Sequence, residues 1–200
     1  MERTLIKKIL KEELVNQEAL IKGWIRSIRK SKKFSFMVLN DGTSQGSLQV
    51  IVDADVDNYE EVSGLLIGSA VAIRGNLVPS GGKGQKVEMQ GKSVEIIGRT
   101  DESYPLQKKA TSLEFLRENA HLRMRTNAFG AVFRVRHELA MATHKFFSDK
   151  GFYYLNSPIV TSVDGEGAGE MFRVSTLDSK NPPLDDKGEV DFTNDYFGKE

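Results

Sequence analysis

One stretch limits what this chain can become more than any other: Gly23–Asp53, which reads GWIRSIRKSKKFSFMVLNDGTSQGSLQVIVD. Between Lys22 and Lys33 stand six positive charges (Lys22, Arg26, Arg29, Lys30, Lys32, Lys33) and no negative one. Two strand-like runs follow, Phe34–Leu39 and Ser47–Val52, joined through an Asn40-Asp41-Gly42 turn. Alternation in the second run sends Leu48, Val50 and Val52 to one face and Ser47, Gln49 and Ile51 to the other. A basic strand beside a sheet that displays an aromatic ring and an amide suits single-stranded nucleic acid. Lys and Arg meet the phosphates, a base stacks on the ring, and the amide pairs with the base edge. The plainer reading is a solvated edge strand whose lysines discourage aggregation.

The basic cluster matters because the chain as a whole is neutral. Its 28 Lys and Arg balance 28 Asp and Glu, so contact with nucleic acid must depend on a local patch. The 200 residues suffice for one or two domains with a real core, and a hydrophobic content of 39% fits a globular protein. The absence of cysteine excludes a disulfide framework and thiolate metal sites. No apolar run approaches the roughly 18 residues a membrane span needs, and the N-terminus has no apolar signal core. The expectation is a cytoplasmic protein with no membrane association.

In chain order, Thr4 is the expected cap of a short amphipathic helix carrying Leu5, Ile6, Ile9, Leu10 and Leu14. Strands are expected at about 19–32, 34–40, 47–53, 69–78, 85–91 and 93–98, with a helix in VDNYEEVSGLLIG after the third. Pro79-Ser80-Gly81-Gly82-Lys83-Gly84 makes a hairpin turn. A long first strand, a meander, an inserted helix and a closing hairpin describe an all-β, five-stranded OB-type barrel. An SH3-like barrel would lack the helix. Gly23, Gly75 and Gly91 fall where such barrels bend sharply.

The barrel is assigned to residues 1–100. A polar, aperiodic linker follows at 101–112, and a second domain occupies 113–200. Thr111-Ser112-Leu113-Glu114 fits a capping box with Thr111 at the cap. A second cap at Thr126 opens a long helix with Phe129, Val132, Phe133, Leu139, Ala140, Thr143, Phe146 and Phe147 along one stripe, ending before Gly151. Phe152–Leu155 reads as a strand that Pro158 ends.

Several motifs fail on inspection. His137-Glu138 begins HExxH, but the fifth position is Met141. Asp53-Ala54-Asp55-Val56-Asp57 begins a calcium loop, but Asn58 stands where glycine is required. Gly165-Glu166-Gly167-Ala168-Gly169 is not GxGxxG, no phosphate-binding P-loop is present, and no nucleophilic triad can be assembled. No metal site is expected in these residues.

GWIRSIRKSKKFSFMVLNDG and SLQVIVD resemble the anticodon-binding OB domain of the aspartate–asparagine–lysine group of class II aminoacyl-tRNA synthetases. HLRMRT and AVFRVRHELAMATHKFFSDKGFYYLNSPIV resemble the first signature motif of class II catalytic domains, and GEGAGEMFRVSTLD and FTNDYFGKE resemble bacterial asparaginyl members. The resemblance implies a barrel followed by the start of an α+β catalytic domain with an antiparallel sheet. By it, Phe36 stacks on the central uridine of the anticodon, Gln49 recognises that uridine's edge, and Arg29 lies near the anticodon backbone. Phe34 shares the face of Phe36 and can join the stacking. Pro158 belongs to the dimer interface, and Glu166 to a loop that closes over the amino-acid substrate, with Glu170 and Arg173 as its neighbours.

The implied activity is ATP-dependent activation of asparagine to an adenylate and transfer to tRNA(Asn), by a homodimer in the full-length protein. The second and third class II motifs have no match here. The resemblance therefore implies the opening part of a longer synthetase. No catalytic residue is expected in the 200 residues, the ligands for ATP and Mg2+ are expected beyond residue 200, and the chain alone is expected to be inactive. Two alternatives stay open at this point: an aspartyl-type relative, which would be expected to show a TPEGARDF-like loop where this chain has GEGAGEMF, and a non-catalytic OB-fold RNA-binding module.

Overall fold

Alternating apolar residues force the first hundred positions into strands that each have one dry face, and the chain buries those faces by closing on itself. The structure, a computed structural model, describes residues 1–82, 84–161, 163, 165, 167 and 171–198. Helix α1 (Ile6–Glu12) precedes β1 (Gln17–Lys30), β2 (Phe34–Asn40), β3 (Leu48–Asp53), helix α2 (Tyr59–Ser63), β4 (Ala70–Pro79) and β5 (Val87–Gly98). The strands form a closed barrel in the order β1-β2-β3-β5-β4, with β4 returning to β1 and only the β3–β5 pairing parallel. This is the expected OB-type barrel, with its helix between the third and fourth strands.

The core is the set of inward positions. Ile21, Ile25, Met37, Leu39, Leu48, Val50, Val52, Ile73, Leu77 and Met89 are fully buried, with Ile6 and Ile9 of α1 closing one end. From α2 and the turns beside it, Val56, Tyr59, Val62 and Leu65 join the same cluster. Tyr59 keeps its hydroxyl satisfied there: it lies 3.0 Å from the hydroxyl of buried Ser35 and donates to the carbonyl of Ser31 at 3.1 Å.

Three sequence expectations need correction in the barrel. The runs at 85–91 and 93–98 are one strand, because the break between them is a bulge at Lys92 and not a turn. That bulge sets Gly75 opposite Gly91, where a Cβ on Gly75 would lie 2.1 Å from the carbonyl oxygen of Gln90. Only glycine tolerates that approach. Helix α1 is not capped by Thr4. Leu5 occupies the cap position, and the Asp41 carboxylate, from the β2–β3 connection, accepts the Ile6 amide at 3.0 Å. The helix in VDNYEEVSGLLIG covers only Tyr59–Ser63.

The compact units of the chain are Met1–Thr143 and His144–Glu200, a different division from the one drawn on the sequence. Within the first unit the aperiodic linker is bound to the barrel: Leu106 is buried, and Tyr104 packs its ring on Gly68, whose φ is +93°. Helix α3 (Leu113–Glu118) follows. Its cap is Ser112 and not Thr111, since the Ser112 hydroxyl accepts the Phe115 amide at 3.1 Å. A 3-10 turn (Arg123–Arg125) leads to helix α4 (Asn127–Asp149), with Thr126 accepting from Phe129 at its start as expected.

In the second unit, α4 ends at Gly151, with φ +85°, and the amide of Phe152 returns to the carbonyl of Phe147. The strand expected at Phe152–Leu155 is absent. A strand needs a neighbour for its amides and carbonyls, and among the described residues nothing pairs with it. The one pairing described after the barrel is an antiparallel bridge between Leu184 and Val190. The apolar stripe of α4 has no cover, and none of its residues is buried.

Candidate nucleic-acid interface

The rule that sends Met37, Leu39, Leu48 and Val50 into the core turns their neighbours outward, and strand register then sets those neighbours in rows. Arg29 on β1 stands opposite Phe36 on β2, which stands opposite Ile51 on β3. One step along, Ser27 stands opposite Val38, and Val38 opposite Gln49. These six side chains line one open hollow of about 540 Å³. Its remaining walls are Gly81 and Gly82 of the β4–β5 loop, Glu88 of β5, and Lys108 of the linker.

Three of the residues expected at a binding site therefore meet in one place. Phe36 is half-buried, with its ring outside the barrel core. The Arg29 guanidinium lies over it, 5.0 Å from the ring centroid, and Phe34 meets it edge-on at 5.0 Å. Phe34 does not line the hollow; it braces the ring that does. Gln49, half-buried, donates its amide nitrogen to the Glu88 carboxylate at 3.1 Å.

Glu88 is the functional residue that sequence reasoning passed over. It is 9% exposed, and the same carboxylate oxygen also accepts from the Ser80 hydroxyl at 2.8 Å and the Gln85 amide at 3.3 Å. Two signals pointed to it: an acid inside the apolar opening of β5, and a position that the parallel β3–β5 pairing sets beside Gln49. The hollow thus has a flat aromatic surface, an amide held by an acid in its wall, and cations on its rim. That combination takes one unpaired base and the phosphates beside it.

A second hollow, of about 500 Å³, lies between the barrel and the linker and includes Trp24, Arg26, Tyr104, Leu106 and Arg125. Its polar groups already have partners. Arg26 donates to Asn127 at 3.1 Å, and burial lowers its pKa against a weaker opposing pull from Tyr104. Arg125 lies over the Trp24 ring at 4.4 Å and reaches the Tyr104 hydroxyl at 3.4 Å. These contacts hold linker to barrel.

Pro158 is exposed and lies in the second unit, apart from the hollow's residues. Glu166 and Glu170 fall outside the described residues. Arg173 lies over the Phe192 ring at 5.2 Å. Among the described residues no cluster of His, Cys, Asp and Glu fits a metal ion, and no helix is long and apolar enough to cross a membrane.

Comparison with known proteins agrees with this geometry. Residues 19–97 match the model of an OB-fold nucleic acid binding domain, and residues 112–183 match that of the class II tRNA synthetases (D, K and N). Asparagine–tRNA ligase of Cytophaga hutchinsonii is 48% identical over 202 residues, covering 100% of this chain and 44% of its own length. That of Geotalea uraniireducens is 50% identical over 197 residues, covering 98% and 42%. The chain thus spans less than half the length of these relatives. Among solved structures, asparaginyl-tRNA synthetase from Pyrococcus horikoshii complexed with asparaginyl-adenylate superposes with a TM-score of 0.75 at 23% identity. It covers 87% of this chain and 40% of that one, and it shares the fold.

Proposed function

The chain belongs to the class II aminoacyl-tRNA synthetases, among the asparagine–tRNA ligases, and from that membership we propose that its barrel reads the anticodon of tRNA(Asn). The observation that carries this reading is the meeting of Arg29, Phe36 and Gln49 in one outward hollow. A pyrimidine ring laid on Phe36 gains stacking. The central uridine of the anticodon offers an N3–H donor beside a carbonyl acceptor, and the Gln49 amide answers with an oxygen and an N–H. Arg29 covers the Phe36 ring in the free protein. Its exposed, flexible side chain swings to a phosphate and gives the ring to the base. Lys108 supplies a second cation on the same rim.

The ligase this barrel serves joins asparagine to ATP and hands the acyl group to the terminal ribose of the tRNA. Class II membership implies ATP and magnesium in that step. The described residues do not fit a metal site, so no step of this mechanism runs through them. Anticodon binding contributes position: it holds the correct tRNA so that its far end meets the reaction centre. The Glu166 loop closes over the amino acid, and Pro158 with the helix before it joins a dimer interface. The setting is the cytoplasm.

The test is a filter-binding comparison between an asparagine anticodon stem-loop with its central uridine and the same loop with that base changed to cytidine or adenosine. Preference for uridine supports anticodon reading. Equal binding of all three loops overturns it and leaves a barrel that holds RNA through its phosphates alone.

A further inference from the structure

We infer that Glu88 is a positioning residue which sets the direction of the Gln49 amide, and that this fixed direction makes the hollow select uracil over cytosine. The inference rests on the anticodon reading above and adds the source of its selectivity.

An amide side chain is nearly symmetric in shape and opposite in chemistry at its two ends. Free to turn over, Gln49 would suit either pyrimidine. With its oxygen toward N3 it accepts the uracil N3–H and donates to a uracil carbonyl. Turned about, it donates to the cytosine N3 and accepts from the cytosine amino group. A glutamine that only stands on an exposed strand therefore discriminates weakly. Discrimination needs something that fixes which end faces the base.

Glu88 supplies that. At neutral pH a carboxylate accepts hydrogen bonds and donates none, so the Gln49 atom 3.1 Å from its oxygen must be the nitrogen. The carboxylate is itself held: Ser80 and Gln85 donate to the same oxygen at 2.8 and 3.3 Å, and the residue is 9% exposed. Such charge-assisted bonds exceed neutral ones in strength, and a partly dry wall strengthens them further. With one amide hydrogen committed to Glu88, Gln49 keeps its oxygen and its second hydrogen for the ligand, always in the same order. Uracil matches that order. Cytosine in the same seat sets its N3 lone pair against the amide oxygen and its amino group against the amide nitrogen.

The experiment measures stem-loop binding by the 200-residue chain and by its Glu88→Gln variant, using loops that differ only in uridine or cytidine at the centre. A neutral amide at position 88 can accept or donate, so Gln49 regains its freedom to turn. We expect the preference for uridine over cytidine to fall roughly tenfold, about 1.4 kcal/mol of discrimination, with the cytidine loop gaining more than the uridine loop loses. A merely structural role for Glu88 would weaken both loops together and leave their ratio unchanged, and that result overturns the inference. So does a change in preference at a neighbouring anticodon base with the central ratio intact. If the unaltered protein shows no preference for uridine, the anticodon reading fails and this inference with it. If Glu88→Gln loses the cooperative unfolding of the parent chain, Ser80→Ala, which removes one donor from the same carboxylate, is read in the same way with a smaller expected change.

Discussion

Leu39 and Leu139 are the same residue in two different situations. Leu39 sits on β2 with no exposed surface, inside a barrel whose strands each have neighbours on both sides; Leu139 sits on α4 and is 63% exposed. Both lie on well-formed, periodic elements. The barrel completes its own core within about a hundred residues, whereas α4 forms a regular helix whose apolar stripe has no partner among the described residues. A helix satisfies its own backbone and needs only its sequence to form. A strand, or an apolar face, needs something to pair with or cover it.

The sharpest way to break this contrast is at the buried leucine. Leu39→Ala removes methyl groups from a close-packed interior and leaves a cavity, so chemical denaturation should show a loss of about 2–5 kcal/mol. A loss below 1 kcal/mol would mean the barrel core is not the stable part of the chain.

Next in size is a change at the barrel's outer face, which should alter binding and spare stability. Phe36→Ala should weaken the uridine stem-loop by about 1–3 kcal/mol in filter binding, the cost of losing a stacked base. Its thermal midpoint should move far less than that of Leu39→Ala, because Phe36 lies outside the buried cluster. A large drop in stability with unchanged RNA binding would make Phe36 a structural residue.

Smaller again is the tie between α1 and the barrel at Asp41. Burial alone would raise the pKa of this carboxyl. Hydrogen bonds from the Thr43 hydroxyl, the Ile6 and Thr43 amides and Arg3 outweigh burial and hold it below its ordinary value. Because the folded-state value is lowered, the carboxylate's stabilisation is complete above the unfolded value of about 3.9 and drains away as pH falls through the folded one. Asp41→Ala should cost about 1–2 kcal/mol at pH 7, as loss of a helix cap does. The gap between variant and parent should narrow below about pH 4, where the parent's carboxyl also loses its charge. A gap that stays constant down to pH 3 would place its origin elsewhere.

What could be read from the sequence divides along the same line. Period-two alternation showed which way Gln49 and Phe36 point, since one buried face dictates the other, and the Thr126 cap and Gly151 stop framed α4 correctly. Features made by distant residues could not be read. Asp41 caps a helix 35 positions before it, and Glu88 meets Gln49 across 39 positions through the one parallel pairing of the barrel. Local propensity offered Thr4 for the first role and gave no hint of the second. The break at Lys92 looked like a turn because a bulge and a turn both interrupt alternation. Phe152–Leu155 has the composition of a strand, but composition cannot supply the neighbour that makes it one.

The smallest expected effect is the most direct test of the contrast. In this chain Leu139→Ala should change stability by no more than about 0.5 kcal/mol, because an exposed side chain already in contact with water gives up little on truncation. Alanine's high helix propensity offsets part of even that. Circular dichroism should show the helix intact and the unfolding midpoint within a degree or two of the parent's. A loss approaching that of Leu39→Ala would mean that the stripe along α4 is covered in solution, by another copy of the chain or by residues outside those described. Diluting the protein separates these cases, since cover by another copy weakens as concentration falls and cover from within the same chain does not.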